Sequence, residues 1–472
     1  MVFSSVEFLY FYLPAVIALY CVCPRRFRNA LLFATGLVFY AFGEPIYVFV
    51  LLLSCLIDYF AGIIMAKYSE RPKIRKVCLI VSLVLNLGLL GVFKYTPFII
   101  RNINAVFGTS FSTALPLPIG ISFFTFQSMS YAIDLYRGEI GVQRSFIDFS
   151  AYVTMFPQIV AGPIVRYKDV ESELADRRVN VIGFSDGVSR FVRGLAKKVL
   201  LANNIGALWE EVKAADYSAL PALTAWLGVA AFTLQIYFDF SGYSDMAIGL
   251  GKMLGFTFPE NFDHPYVSKS VREFWRRWHI TLGQWFKNYV YIPLGGSREG
   301  IAKTVRNLAI VWLLTGLWHG ASWNFVLWGV WFGALIIAER LFLGRLLEKL
   351  PGFFGWLYTM LAVVLGWVLF DTESIASAFG FIGAMFGAGG SFSDVHSFWL
   401  LCEYSPIISL CIFFASQAPG NFRARLESRF EGLGLRADVF RLAEPLITLV
   451  FLAASTAYLV NQSYNPFLYF NF

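Results

Sequence analysis

Charge is scarce in this chain. Asp, Glu, Lys and Arg make up 15% of its 472 residues, where a soluble domain carries roughly 25%, so an ordinary water-facing surface is excluded. Histidine is scarcer still, confined to His264, His279, His319 and His396. The six cysteines, Cys21, Cys23, Cys55, Cys78, Cys402 and Cys411, sit in or beside apolar runs without paired metal-ligand spacing. Cys21 and Cys23 are one residue closer than a zinc knuckle needs, so neither a disulfide frame nor a metal site is read here. A serine nucleophile elbow is missing, as are His-x-Glu and His-Glu-x-x-His, which removes the common serine and zinc hydrolase signatures. No strong internal repeat and no low-complexity segment stands out.

What the chain does have is apolar length. Hydrophobic residues make up 57%, aromatic residues 18%, with 49 Phe and 13 Trp, and the mean hydropathy is +0.61. A helix crosses a bilayer with about 17–25 predominantly apolar residues, and such runs begin near residues 6, 29, 46, 77, 118, 195, 219, 308, 323, 353, 398 and 443. The expectation is an all-α polytopic membrane protein, one membrane domain over residues 1–472. Runs interrupted by Gly and Pro are read as re-entrant, which is tolerated only where the backbone is buried in protein. The first run, 6–22, has no basic residue before it and reads as a retained span rather than a signal peptide.

The net charge of +7 comes from Lys and Arg in short loops between apolar runs. That pattern sets topology and meets anionic lipid headgroups; it does not call for nucleic acid. Arg25, Arg26 and Arg28 follow the first run, which predicts a cytoplasmic loop and an N-terminus outside. Residues 43–46 carry no Lys or Arg, whereas Lys67, Arg71, Lys73, Arg75 and Lys76 mark the next inner loop. Residues 137–198 read as cytoplasmic with an apolar stretch, 149–165, dipping in, and a larger basic segment covers 269–306. Residues 351–422 contain no Lys or Arg but hold Asp371, Glu373, Asp394 and Glu403; Arg423, Arg425, Arg429, Arg436 and Arg441 follow. That stretch should go out and return, and a last span near 443–460 should deliver the tail, residues 461–472, outside.

Of the four histidines, His319 lies in an uncharged run from Trp312 to Asn324. An ionisable side chain at membrane depth is costly and marks a functional site by default. Gly316 and Gly320, four apart, admit a close helix neighbour. A dry site would favour neutral imidazole, which can take a proton from a hydroxyl attacking a thioester. The other reading is a core histidine hydrogen-bonded between helices; the run by itself leaves both open. His279 sits in a segment where Trp275, Trp278, Leu282, Trp285, Phe286 and Tyr289 recur at helical spacing, which predicts one amphipathic interfacial helix over 271–289. There the residues favour an interfacial anchor over a second active-site group. His264, before Pro265, reads as a turn residue, His396 as solvated, and Gly295-Gly296 as a turn. Asp58, Asp134, Asp239 and Asp245 are assigned to hydrogen bonding between helices.

At these residues the sequence resembles the membrane-bound O-acyltransferase (MBOAT) family, in its bacterial AlgI/PatA/DltB branch. The resemblance runs from Met1-Val-Phe-Ser-Ser5 through Leu117-Pro-Ile-Gly-Ile-Ser-Phe-Phe-Thr-Phe-Gln127, Ile133-Asp-Leu-Tyr-Arg137 and Phe156-Pro-Gln-Ile-Val-Ala-Gly-Pro-Ile164. It is densest over 235–298 and at Trp318-His319-Gly320, and ends with Asn465-Pro-Phe-Leu-Tyr-Phe470. It implies helices ringed around a funnel or tunnel, with a catalytic core over 235–340. It implies that His319 is the catalytic histidine, His279 the second histidine and Asn324 a candidate helper. It further implies cytoplasmic acetyl-CoA as donor and no permanent cofactor. The implied partner is an extracytoplasmic SGNH-type acetyltransferase of the AlgJ/AlgX/PatB kind. The implied location is a bacterial cytoplasmic membrane, with Tyr469 in the outer tail as acyl carrier. The cationic face around Arg272, Arg276, Arg277, Lys287 and Arg298 would dock the donor's nucleotide. Two rival readings remain: D-alanyl transfer from a carrier protein to teichoic acid, and a polysaccharide exporter, which would call for paired repeats with broken helices.

Overall fold

The computed structural model describes residues 1–113, 115–432, 438–461 and 468. Arg436 and Tyr469 lie outside the described residues. Among those described the regular structure is helical, apart from one isolated antiparallel bridge between Phe262 and Trp278. Among the described residues, seven helices are long and apolar enough to cross a membrane: Val48–Lys67, Pro72–Phe107, Ala222–Met253, Trp323–Leu347, Gly352–Asp371, Val395–Ala415 and Ala443–Asn461. Helices satisfy every interior backbone group within the segment, which a lipid environment requires. They expose large apolar side chains, among them Val84, Leu85, Ile412, Leu446 and Val450. The protein is a multi-pass membrane protein, and its all-helical class is the one composition demanded.

Five of the expected runs fall outside those seven. Phe8–Val22 and Arg28–Gly43 form shorter helices, Ile121–Arg137 stops at 17 residues, and the run near 195 is interrupted by a π-helical turn, Lys197–Ala202. The run near 308 is the C-terminal part of Ile301–His319. Residues 151–165 are buried, so the stretch read as dipping inward is enclosed by protein, beginning as the end of the helix Phe146–Thr154 and continuing as irregular backbone.

The chain divides into two compact units, Met1–Phe191 with Tyr243–Glu260, and Val192–Gly242 with Asn261–Phe472. In the first, Asp58 is fully buried on Val48–Lys67, accepts from Asn86 Nδ2 at 2.9 Å on the following helix, and also bonds Ser82. Asp134 lies 3.7 Å from Lys168, and Asp245 is paired with Arg190, which also holds Glu260. These acids are tied to neighbouring elements.

The second unit has an aromatic core in which Trp209, Phe232, Phe274, Trp278, Trp328, Phe332, Trp367 and Phe370 are all buried. Edge-to-face pairs of such rings contribute about 0.5–1.5 kcal/mol each beyond simple burial. Asp239 forms a buried ion pair with Lys198 at 2.6 Å. His396, expected to be solvated, is exposed, with Nε2 3.0 Å from Glu211 Oε1 and its ring stacked on Trp399.

The segment read as one amphipathic helix over 271–289 is broken in two. Val271–Arg277 is followed by Trp278 and His279, and a second short helix covers Ile280–Phe286. His279 has φ of 45°, a left-handed backbone that ends a helix. The break is held by the preceding loop: Asp263 N–H donates to Arg277 O at 2.9 Å, and Ile280 N–H donates to Asn261 O at 3.0 Å. Pairing with residues well back in the chain overrides the local helical period.

Candidate active site

Ile301–His319 and the helix beginning at Trp323 form a tight hairpin. The first ends at His319 because Gly320 turns extended, and Ser322 opens the second. The two backbones meet at Gly316 and Gly329. A Cβ on Gly316 would fall on the Phe325 carbonyl oxygen and within 3.2 Å of Gly329 Cα; one on Gly329 would lie 2.5 Å from Trp312 O. Gly320, read as the second half of a helix-packing pair, lies past the helix end, where a Cβ would meet the Phe325 ring.

This hairpin buries His319 to 3% exposure. Its ring is 4.8 Å from Trp328, 5.0 Å from Trp318 and 5.3 Å from Phe370, each at a steep angle. Three aromatic neighbours fix the plane of the imidazole and keep bulk water away. Asn324 is buried near the start of the second helix. Its amide N–H donates to Thr372 O at 2.6 Å, capping the end of Gly352–Asp371.

His279 is 1% exposed, 4.8 Å from the Phe240 ring and 6.0 Å from that of Trp318, the residue beside His319. Its Nδ1 lies 3.1 Å from Asn261 Oδ1. Thr281 N–H, which can only donate, also reaches that oxygen at 3.3 Å, and Thr281 Oγ1 lies 2.9 Å from it. The amide oxygen is therefore the acceptor, Nδ1 carries the hydrogen, and Nε2 is the basic nitrogen. Asn261 thus sets the tautomer. Sequence reading missed it because the contact spans 18 residues.

Burial pushes the His279 imidazole down to about 3. The unfolded chain takes up a proton below the ordinary value of about 6.5, whereas the folded protein refuses it until pH 3 is approached. Stability is therefore lost as pH falls from about 6.5, by about 1.4 kcal/mol per pH unit. His279→Asn is expected to lose less thermal stability than the wild type between about pH 7 and pH 5. Equal losses would show that His279 carries none of the acid sensitivity.

A cavity of about 560 Å³ opens against this histidine. Its wall includes Trp275, Trp278, Leu308, Trp312 and Thr315, and its polar lining includes Arg272, Arg276, Lys287 and Arg340. Arg276, Lys287 and Arg340 are exposed. Arg272 is steered by Glu339, whose buried carboxylate accepts from Arg272 Nε at 3.3 Å and from the backbone N–H of Val271 at 2.6 Å. Three of the expected donor cations are brought together with His279. Arg277 and Arg298 are not on the cavity wall, and Arg277 is bound to Asp263 at 2.9 Å and Glu273 at 3.1 Å. Arg340 was not foreseen, although a Glu-Arg pair closing a long apolar run was a visible cue. His319 lies one helical turn beyond Thr315 and is itself not a lining residue. Among the described residues, no group of three or more His, Cys, Asp or Glu is placed to hold a metal ion.

Residues 103–377, more than half of the chain and including both histidines and the cavity, match the family model for the membrane-bound O-acyltransferase family. The chain belongs to this family. It is an O-acyltransferase. Curated relatives place it in the expected bacterial branch. It is 39% identical over its full length, and the relative's, to a probable alginate O-acetylase AlgI of Pseudomonas putida. It is 32% identical to a peptidoglycan O-acetyltransferase of Helicobacter pylori, over 83% of this chain and 80% of the relative. Similarity to a teichoic acid D-alanyltransferase of Bacillus subtilis is weaker, 25% over 52% of this chain and 65% of that one.

Proposed function

We propose that this acyltransferase takes acetyl from cytoplasmic acetyl-CoA and passes it across a bacterial cytoplasmic membrane for O-acetylation of an extracytoplasmic polysaccharide. An SGNH-type acetyltransferase is the partner that completes delivery to the polymer. The Arg-rich loops lie in the cytoplasm, and both termini lie outside. The observation that carries this reading is the cavity itself, with cations at its exposed lining and the buried His279 imidazole on its wall. Exposed Arg276, Lys287 and Arg340 attract the phosphates of a nucleotide thioester, and the aromatic walls take the thin pantetheine arm.

In the reaction, His319 accepts the proton of an incoming hydroxyl, that of Tyr469 in the outer tail. The hydroxyl oxygen attacks the thioester carbonyl carbon, the C–S bond breaks, and the coenzyme leaves as thiolate and is protonated. The new ester carries the acetyl group outward. Aromatic enclosure excludes water that would hydrolyse the thioester. D-Alanyl transfer has less support, because similarity to those relatives covers only about half of the chain.

The test is thiol release by purified protein in nanodiscs, offered acetyl-CoA or a D-alanyl carrier protein, together with acyl analysis of envelope polymers with and without the protein. Acetyl-CoA consumption and loss of polymer acetate are expected. No thioester consumption would leave an exporter as the better account. Arg276→Glu is expected to raise the KM for acetyl-CoA about tenfold with kcat little changed, the signature of lost ground-state binding. An unaltered KM would remove Arg276 from the donor site.

A further inference from the structure

The Lys198–Asp239 pair plays no part in the donor site, yet both side chains are 3% exposed or less. A buried ion pair is weak evidence for stability, since apolar residues of similar volume often serve as well. Its other contacts suggest a use. Lys198 Nζ donates to Asn203 Oδ1 at 2.9 Å, which steadies the cation. The second carboxylate oxygen of Asp239 accepts from the backbone N–H of Leu468 at 3.0 Å. Leu468 is buried and joins the apolar core of the second unit. One helical turn before Asp239, Gln235 packs its carboxamide against Gly206; its amide oxygen is buried and has no hydrogen-bond partner among the described residues. Lys198, Asn203 and Asp239 thus form a buried polar cluster that Leu468 meets, with Gln235 one turn away.

We propose that Asp239, braced by Lys198, is the seat of this chain's own C-terminal tail, and that the seat positions the tail for acyl transfer. A carboxylate bonded to a main-chain N–H holds a peptide whatever its side chains, and the buried Leu468 sets the register. Leu468 immediately precedes Tyr469, and adjacent Cα atoms are 3.8 Å apart, so fixing one narrows the reach of the other. A hydroxyl restricted in this way meets its thioester at a much higher effective concentration than one on a free tail. Asp239 is a positioning residue; it does not touch the reacting atoms. The positioning role rests on the reading of Tyr469 as acyl carrier, whereas the seat does not.

Amide exchange at Leu468 tests the seat in the full-length protein in nanodiscs. Exchange about 100-fold slower than in a free peptide of residues 461–472 is expected. Exchange at the peptide rate overturns the proposal. The double variant Lys198→Met with Asp239→Leu removes both charges and the acceptor together. It should bring Leu468 to the peptide rate and lower kcat for polymer acetylation about tenfold, with the KM for the thioester unchanged. Lys198→Gln with Asp239→Asn keeps a carbonyl acceptor and should restore protection and transfer. Wild-type protection in the Met/Leu variant overturns the seat. A freed tail with undiminished transfer overturns its positioning role. If the Met/Leu variant does not insert, wild-type exchange alone decides. Tyr469→Phe separates the two readings: undiminished transfer there sinks the carrier step and leaves the Leu468 exchange result standing.

Discussion

His319→Ala is expected to abolish polymer acetylation, with a loss of about 10²–10⁴-fold for a general base removed, while the protein still inserts at normal abundance. The imidazole is held edge-on by Trp318, Trp328 and Phe370, none of which can accept a proton in its place. Truncation also leaves a void among rigid rings, and a destabilisation of a few kcal/mol is expected beside the kinetic loss. His319→Gln separates the effects, because it fills more of the void and keeps a polar group but cannot accept the proton at neutral pH. Both variants should be inactive, with the glutamine variant the more stable. Normal acetylation by the alanine variant would remove His319 as the base.

Gly316→Leu should give the largest structural effect, at least about 3 kcal/mol, the upper end of overpacking costs. What stands in the way is rigid main chain: the Phe325 carbonyl oxygen and Gly329 Cα on the facing helix. Neither can move without separating the hairpin that ends at His319, so activity should fall with stability. Gly88→Leu is the matched control. It lies on another membrane helix, where an added Cβ meets nothing within 4 Å, and it should melt like the wild type. The measurement is the temperature of half-inactivation in detergent. A Gly316→Leu protein as heat-resistant as the Gly88→Leu protein would contradict the helix crossing.

Part of the candidate site was legible in the sequence. An uncharged run interrupted by one histidine is a physical anomaly at membrane depth, and it pointed to His319. The cationic residues near His279 were legible as a group, but not which of them share a cavity. Arg272 and Arg276 line it, while Arg277, on the next helical position, is drawn away by Asp263 and Glu273. Neighbours in sequence point around a helix in different directions, and the partners that claim them come from other elements. His279 was misplaced on a continuous amphipathic helix because helical spacing of apolar residues measures local preference only. The break is imposed by main-chain bonds from residues 261 and 263.

The twelve apolar runs show the same limit. Hydropathy counts apolar residues but cannot tell those that face lipid from those that face protein. Ile121–Arg137 is almost wholly enclosed, buries Gln127 and Asp134 among its apolar residues, and at 17 residues is shorter than the seven candidate spans. By itself the sequence determined that this is a helical membrane protein, and which histidine stands out, because both follow from the cost of placing charge and bare backbone in an apolar medium. Tertiary structure alone decided that Asn261 sets the His279 tautomer, that Arg340 joins the cavity lining and that Asp239 meets Leu468. Each is a contact between residues far apart in the chain, and no local pattern encodes which distant partner will complete it.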